Sequence, residues 1–324
     1  MINIKRILTP TDFSKGSEHA IRFAGEIAGF WNAKVDVFHV VPMIKYLNES
    51  IMMLGLPLDI DRDVYPKLQQ QALENIQKEM QAFLPAAVRG EARVIVGRKP
   101  GEDIVDLTHT GGYDLLILSQ QGAHTHVLSG GTPEHAVRYA RIPVLCVPPE
   151  AQPKQFQHIL VPTDGSAHSL AVLPAAIQLA HTFQASVTLL HVLELYGSVA
   201  EDVYIYRGET EVDAIREELL SKVKHYFEQR FKGRMNVIDE NFEEVTLSWT
   251  EGEHTFKTSL RIAIKKSVSA HLEIVDFADE GSDIIALTTH GRTGLAHMLL
   301  GSTTEKVVRH AKVPVLTFRP ELQK

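Results

Sequence analysis

The sequence predicts two tandem α/β domains, each a doubly wound five-stranded parallel sheet with helices on both faces. Three observations carry this expectation. The stretch ILTPTDFSKGSEHA at residues 7 to 20 returns as ILVPTDGSAHSLAV at residues 159 to 172. The short, β-branched apolar runs lack a polar face, as strands covered on both sides do. Between them lie stretches with apolar residues three and four apart, and strands alternating with helices imply crossover units and a parallel sheet.

The duplication holds its register. Asp12 precedes His39 by 27 positions, and Asp164 precedes His191 by the same 27. Further on, YDLLILSQQG (113 to 122) pairs with SDIIALTTHG (282 to 291), and IPVLCV (142 to 147) with VPVLTF (313 to 318). The Pro- and Gln-rich VPPEAQPKQFQ (147 to 157) reads as the join, which gives domains at 1–148 and 156–324. Strands are expected at Ile4 to Thr9, Val35 to Val41, Val94 to Val96, Leu115 to Leu118 and Val144 to Val147. Leu68, Ala72, Ile76, Met80 and Phe83 mark a helix in the first half. Val212, Ile215, Leu219, Val223 and Phe227 mark its counterpart, with Thr210 and Asp213 as a capping box. Asp12 to Asp114 is 102 positions but Asp164 to Asp283 is 119, so the second half carries about 17 extra residues around Gly233 to Ser269. EEVTLSWTEGE and RIAIKK both alternate there. Either reads as the third strand, and an added hairpin is a further option.

Composition narrows the partners. Of 324 residues, 44% are hydrophobic and 23% charged, which suits a globular protein with real cores. A formal net charge of −7 and a sequence pI near 6.1 give no electrostatic footprint for nucleic acid or an anionic membrane. The opening MINIKRILTPTD is too short in apolar residues for a signal peptide, and no stretch approaches a membrane span. The single Cys146 excludes an internal disulfide and fits a reducing cytoplasm. In IPVLCVP it reads as a packed thiol rather than a nucleophile. The expectation is a cytoplasmic protein with neither nucleic acid nor membrane as partner.

In an open parallel sheet, ligands bind beyond the carboxyl ends of the strands where the chain order reverses, here between strands 1 and 4. Asp164 ends strand 1 of the second half. TTHGRTGLAHMLLGSTTEKVV (288 to 308) follows strand 4 and offers Gly291, Gly294 and Gly301, then Ser302, Thr303 and Thr304 before a helix. Glycines let backbone amides approach an anion, and the helix start supplies unpaired N–H groups. Two readings stand: a phosphate cradle, or an ordinary glycine turn with an N-cap and Glu305 in the first helical turn.

Two copies of PTDxS, each followed by HV in strand 2, and a closing THGRTGLAHMLLGST…PVL resemble the universal stress protein family in its tandem form. The resemblance covers nearly the whole chain. It implies strand order 3-2-1-4-5, two halves packed as a pseudo-dimer through their last strands, and, in one branch, ATP binding. That branch's signature is Gly, two residues, Gly, nine residues, Gly, then Ser or Thr, and it falls on Thr288, Gly291, Gly301 and Ser302, with Thr288 replacing the first glycine. By this resemblance Pro162, Thr163, Asp164, Val192, Thr288, His290, Gly291, Arg292, Gly301, Ser302 and Thr303 form the nucleotide site. Val192 meets adenine through its backbone, and Asp164 meets the ribose, the phosphates or a Mg²⁺ carried with them. In the first half the signature falls on Ser119, Gly122, Gly130 and Gly131, with seven residues instead of nine in the loop and no hydroxyl at 131; Thr132 substitutes in part. Asp12 and Val40 remain, but this half is expected not to bind.

The resemblance implies an adenine-nucleotide-binding stress-response sensor or regulator, not an enzyme, with a homodimer as a further option. Two alternatives belong to other classes: a non-nucleotide-binding interaction scaffold, and a slow ATP-hydrolysing enzyme. LSGGTPEHA (128 to 136) superficially matches the Ser-Gly-Gly loop of ATP pyrophosphatases, but it follows strand 4 and runs into Pro-Glu. Walker and dinucleotide patterns are absent. His39 and His191, in central strands, read as hydrogen-bonded core residues; His124 and His126 lack companion ligands, and His290 and His297 lie beside the cradle.

Overall fold

The fold is that of a computed structural model, which describes residues 4–43, 53, 59–121, 131–152, 155–195, 209–231, 235–240, 244–251, 254–289 and 300–319. The chain divides into two compact units, Asn3–Lys154 and Gln155–Lys324. In the first, β1 (Arg6–Pro10), α1 (Lys15–Trp31), β2 (Lys34–Pro42), a π-helical turn (Ile60–Val64), α2 (Tyr65–Phe83) and β3 (Arg89–Gly97) are followed by α3 (Pro100–Thr110), β4 (Leu115–Ser119), α4 (Thr132–Tyr139) and β5 (Val144–Val147). All pairings are parallel and the order is β3-β2-β1-β4-β5, as expected. The LLILS of β4 and the VLCV of β5 are buried at every position, which is why neither shows a polar face in sequence. Burial pushes the Cys146 thiol up to about 12, so it stays a packed, protonated group. On α2 the buried residues include Ala72, Ile76 and Met80, whereas Leu68, near the helix start, is exposed.

The second unit contains β6 (His158–Thr163), α5 (Ala167–Leu170), α6 (Leu173–Phe183), β7 (Ser186–Glu194), α7 (Glu209–Phe231), β8 (Met235–Glu240) and β9 (Glu244–Glu251). It continues through β10 (His254–Ser267), α8 (Ala270–Asp279), β11 (Ile284–Thr288), α9 (Ser302–His310) and β12 (Val315–Phe318). The parallel order β10-β7-β6-β11-β12 repeats that of the first unit. Five strands per half is therefore correct for the first half only. In the second, β9 pairs antiparallel with β10 and β8 antiparallel with β9, so a hairpin extends the sheet beyond its third strand. RIAIKK lies in β10, and EVTLSWTE is β9, one strand of the added hairpin. Trp249 of β9 sets the hairpin on the end of α6: its ring is 5.0 Å from Phe256 and 5.5 Å from His181.

Two further corrections concern helices. Thr210 lies within α7, which already includes Glu209, rather than ahead of it; Asp213 pairs with Arg216 at 3.2 Å. Where the first half has one helix after its first strand, the second has two. Pro174 stands in the first turn of α6, where a missing N–H is harmless, but the same residue interrupts a continuous helix from Ala167.

Candidate functional site

At their amino ends the first and fourth strands of each half are tied by one carboxylate. Asp283 Oδ2 accepts the amides of Gln157 (2.7 Å) and His158 (2.9 Å), as Asp114 Oδ2 accepts those of Lys5 and Arg6. At their carboxyl ends the same strands part. β6 and β11 are in register only at Ile159 with Ile284 and Leu160 with Ile285, although β6 runs on to Thr163 and β11 to Thr288. The cause is Pro162. The Asp283 N–H reaches the His158 carbonyl, so alternate residues of β6, namely His158, Leu160 and Pro162, face β11. Pro162 has no N–H to continue that ladder, and the crevice opens there. Pro10 does the same between β1 and β4: the Arg6 carbonyl takes the Asp114 N–H, and register stops at Leu8 with Leu116.

The rest of PTDxS builds the turn that follows. Thr163 Oγ1 accepts the Gly165 N–H at 3.0 Å and bonds Ser169 Oγ at 2.7 Å. Asp164 Oδ1 accepts the Ser166 N–H at 3.0 Å, an Asx turn, and Ser166 caps α5 by accepting from the Ser169 amide. Gly165 adopts φ +75°, a left-handed conformation natural to glycine. The first half repeats the turn with Thr11, Asp12, Ser14 and Ser17, and there Phe13 takes φ 60°. Asp164 is thus, through Oδ1, a residue of its own turn.

His191 anchors the turn to the neighbouring strand: its Nδ1 donates to the Thr163 carbonyl at 2.8 Å, as His39 Nδ1 does to Thr11 at 2.7 Å. A carbonyl only accepts, so Nδ1 carries the proton in both rings. This is the hydrogen-bonded core role expected of them. The β6–β7 ladder ends at Thr163 with His191, which leaves Val192 one residue beyond it, level with Asp164.

On the other wall, α9 is pinned to the end of β11. The Gly301 N–H donates to the Thr289 carbonyl (2.9 Å), and the buried Thr304 hydroxyl to the Thr288 carbonyl (2.9 Å). Thr304 is therefore structural, not a ligand donor as the hydroxyl run suggested. Ser302 and Thr303 are exposed, and no side chain caps the helix at Gly301. Thr288 is buried at the base of the crevice. His290, Gly291 and Arg292 lie outside the described residues, as do Gly294, His297, His124, His126, Gly122 and Gly130. The structure thus brings together Pro162, Thr163, Asp164 and Val192 on one wall, and Thr288, Gly301, Ser302 and Thr303 on the other.

Two features escaped the sequence reading. In the first half the helix corresponding to α9 starts Thr132-Pro133-Glu134, so its second position has no amide hydrogen at all. The signal was present in TPEH but has meaning only once the helix start is known. Lys222 of α7, paired with Glu218 at 2.6 Å, places its ammonium 3.5 Å from where a Cβ on Gly165 would stand, and so sets a cation beside the Asp164 turn.

The universal stress protein family matches the sequence twice, over residues 3–148 and 155–319. The chain belongs to that family. It is 23% identical over 335 residues to universal stress protein Slr1230 of Synechocystis, covering 98% of this chain and all of that one. Universal stress protein MJ0577 of Methanocaldococcus jannaschii is 30% identical over 166 residues, 51% of this chain and 95% of that protein. The crystal structure of a universal stress protein from Archaeoglobus fulgidus covers 97% of this chain and 98% of its own, with a TM-score of 0.59 at 18% identity, a likeness of fold. Among the described residues no helix is long and apolar enough to cross a membrane.

Proposed function

We propose that this universal stress protein binds an adenine nucleotide, ATP, in its second half, and that it works as a stress-response sensor or regulator rather than as an enzyme. The observation that carries the reading is the uncapped start of α9 at the mouth of the crevice between β6 and β11. The first-turn amides of a helix have no intrahelical acceptor and lie at its positive end, where a phosphate is stabilised. The exposed Ser302 and Thr303 add hydroxyl donors beside those amides, and Lys222 sets a positive charge beside the Asp164 turn. Asp164 and Val192, level on the opposite wall, suit the ribose and the adenine edge. No group of three or more His, Cys, Asp or Glu residues suited to a metal occurs among the described residues, so Mg²⁺ in this reading arrives with the phosphates and meets Asp164 alone.

The first half offers less. Pro133 removes one first-turn amide, Gly131 has no hydroxyl, and Gly16 of α1 packs so tightly on the turn after β4 that an added Cβ would stand 2.6 Å from the Gln121 carbonyl. Titration calorimetry with ATP tests the reading. Gly301→Asp, which sets bulk and negative charge against the phosphates, is expected to abolish binding, and the parent protein is expected to bind one nucleotide per chain. A parent that ignores ATP, or a Gly301→Asp variant that binds as the parent does, would overturn it.

A further inference from the structure

The two Pro-Thr-Asp turns differ at their next residue, which is Phe13 in the first half and Gly165 in the second. Both backbones are left-handed there, with φ 60° at Phe13 and +75° at Gly165. Glycine adopts that conformation freely and a bulky side chain does not, so Phe13 is held in it by its surroundings. Its ring lies 4.4 Å from that of His39 and packs against the cluster of Val41, Ile60, Tyr65 and Ala72. At Gly165 the place that a side chain would take is filled from α7. A Cβ there would stand 3.7 Å from Leu219 Cδ1, 3.6 Å from Lys222 Cδ and 3.5 Å from Lys222 Nζ.

α2 buries Ala72, Ile76 and Met80, and α7 buries Leu219, Val223 and Phe227 at the same spacing. In that register Leu219 answers Ala72, and volume has passed between turn and helix: Phe13 faces a small residue, Gly165 a large one. Close packing is kept because the two positions change together. The same register sets Glu218 and Lys222 against Gln71 and Asn75. Each is a pair four residues apart on its helix, Gln71 Nε2 donating to Asn75 Oδ1 at 3.3 Å and Lys222 Nζ to Glu218 Oε1 at 2.6 Å. A neutral pair in the first half is thus a charged pair in the second, and its ammonium reaches the turn because residue 165 has no side chain. The Lys222 and Glu218 side chains are 42% and 65% exposed, and a pair so open to water is held weakly.

We propose that Lys222 is a phosphate ligand of the second half, leaving Glu218 for the nucleotide, and that the residue after the Pro-Thr-Asp turn decides whether the helix can supply this cation. Gly165 admits it, and Phe13 shuts it out. The inference rests on the reading that the second half binds ATP, and it names a residue outside the strand ends and the start of α9. An ammonium is a compact charge with three donors on a flexible four-carbon stem, suited to following a phosphate rather than fixing one geometry. A cation is also what this place needs. Asp164 brings a carboxylate to the same turn, and a phosphate set beside it is repelled unless a positive charge offsets the two. Asp12 brings the same charge to the first half, where the helix carries Asn75 at the position of Lys222.

The test is titration calorimetry of the full-length protein with ATP and with adenosine. Lys222→Met, which keeps most of the stem and loses the charge, is expected to weaken ATP binding by about ten-fold and to leave adenosine unchanged. Gly165→Phe combined with Leu219→Ala gives the second half the packing of the first. This pair is expected to weaken ATP binding as much as Lys222→Met does, and to add nothing in a protein that already carries Lys222→Met. A Lys222→Met protein that binds ATP as the parent does, or that loses adenosine equally, overturns the proposal, and so do losses that add in full. Should the paired change fail to fold, Lys222→Met decides through salt: its ATP affinity is expected to fall less steeply with ionic strength than the parent's, and an equal slope overturns the proposal. A parent that binds no ATP overturns this proposal and the nucleotide reading together, whereas equal ATP binding by parent and Lys222→Met overturns this proposal alone.

Discussion

Thr303→Pro isolates the anion-binding part of the proposed site without disturbing the fold. The residue is the second of α9, and its amide, like the others of a first helical turn, has no intrahelical acceptor. Proline there removes one N–H and nothing the helix needs. The protein already tolerates proline at this position in α2 (Pro66), α4 (Pro133) and α6 (Pro174). A hydrogen bond to a charged group contributes roughly 1.5 to 3 kcal/mol, so losing one weakens ATP binding by about 10- to 150-fold. Calorimetry with ATP and with adenosine separates the causes, because adenosine has no phosphate to lose. The expected result is a weakened ATP affinity, an unchanged adenosine affinity and a thermal midpoint close to the parent's. Equal losses for both ligands would mean that the substitution disturbs the crevice as a whole. An unchanged ATP affinity in a folded variant would refute the idea that α9 holds the phosphates.

Further outcomes are expected from single substitutions. Ser302→Ala should weaken ATP binding by about ten-fold in the same titration if its hydroxyl holds phosphate. Asp164→Ala should weaken ATP binding as well, whereas Asp12→Ala should leave the affinity within a few-fold; equal losses would show both halves binding. Asp36, buried, accepts from Arg6 (2.6 Å), Tyr113 (2.9 Å) and the Glu91 amide (2.8 Å), so Asp36→Ala leaves a partly buried guanidinium and a buried phenol without their acceptor. Urea unfolding should register a loss of about 3 kcal/mol or more for the first half.

The parts of the fold legible in sequence are those that repeat with a period. Buried strands such as LLILS and VLCV and the Ala72–Ile76–Met80 stripe announce themselves because burial on both faces, or on one, is written residue by residue. The third strand of the second half was ambiguous for the opposite reason. β9 and β10 alternate alike, and what separates them is pairing direction, parallel to β7 for β10 and antiparallel to β10 for β9. The Thr210–Asp213 pair was read as a helix start although α7 already includes Glu209, because a capping motif in sequence does not say where the helix begins. The site was legible as a list of residues but not as a mechanism of assembly. That Pro162 opens the crevice depends on which neighbour each backbone group of β6 faces, and so on strand order. The consequence of Pro133 depends on where α4 begins.

The two Pro-Thr-Asp turns have nearly the same internal geometry. The Asx bond is 3.1 Å at Asp12 and 3.0 Å at Asp164, and the histidine anchors are 2.7 and 2.8 Å. Whatever the two halves do differently must therefore come from the elements that meet these turns. Above the crevice, α4 starts Thr-Pro-Glu and α9 starts Ser-Thr-Thr, so the amide and hydroxyl donors differ while the strands beneath are alike. A duplicated scaffold that keeps its turn chemistry fixed can vary its ligand donors from the helix above, and that change leaves untouched the hydrogen bonds that hold Asp12 or Asp164 at the end of its strand.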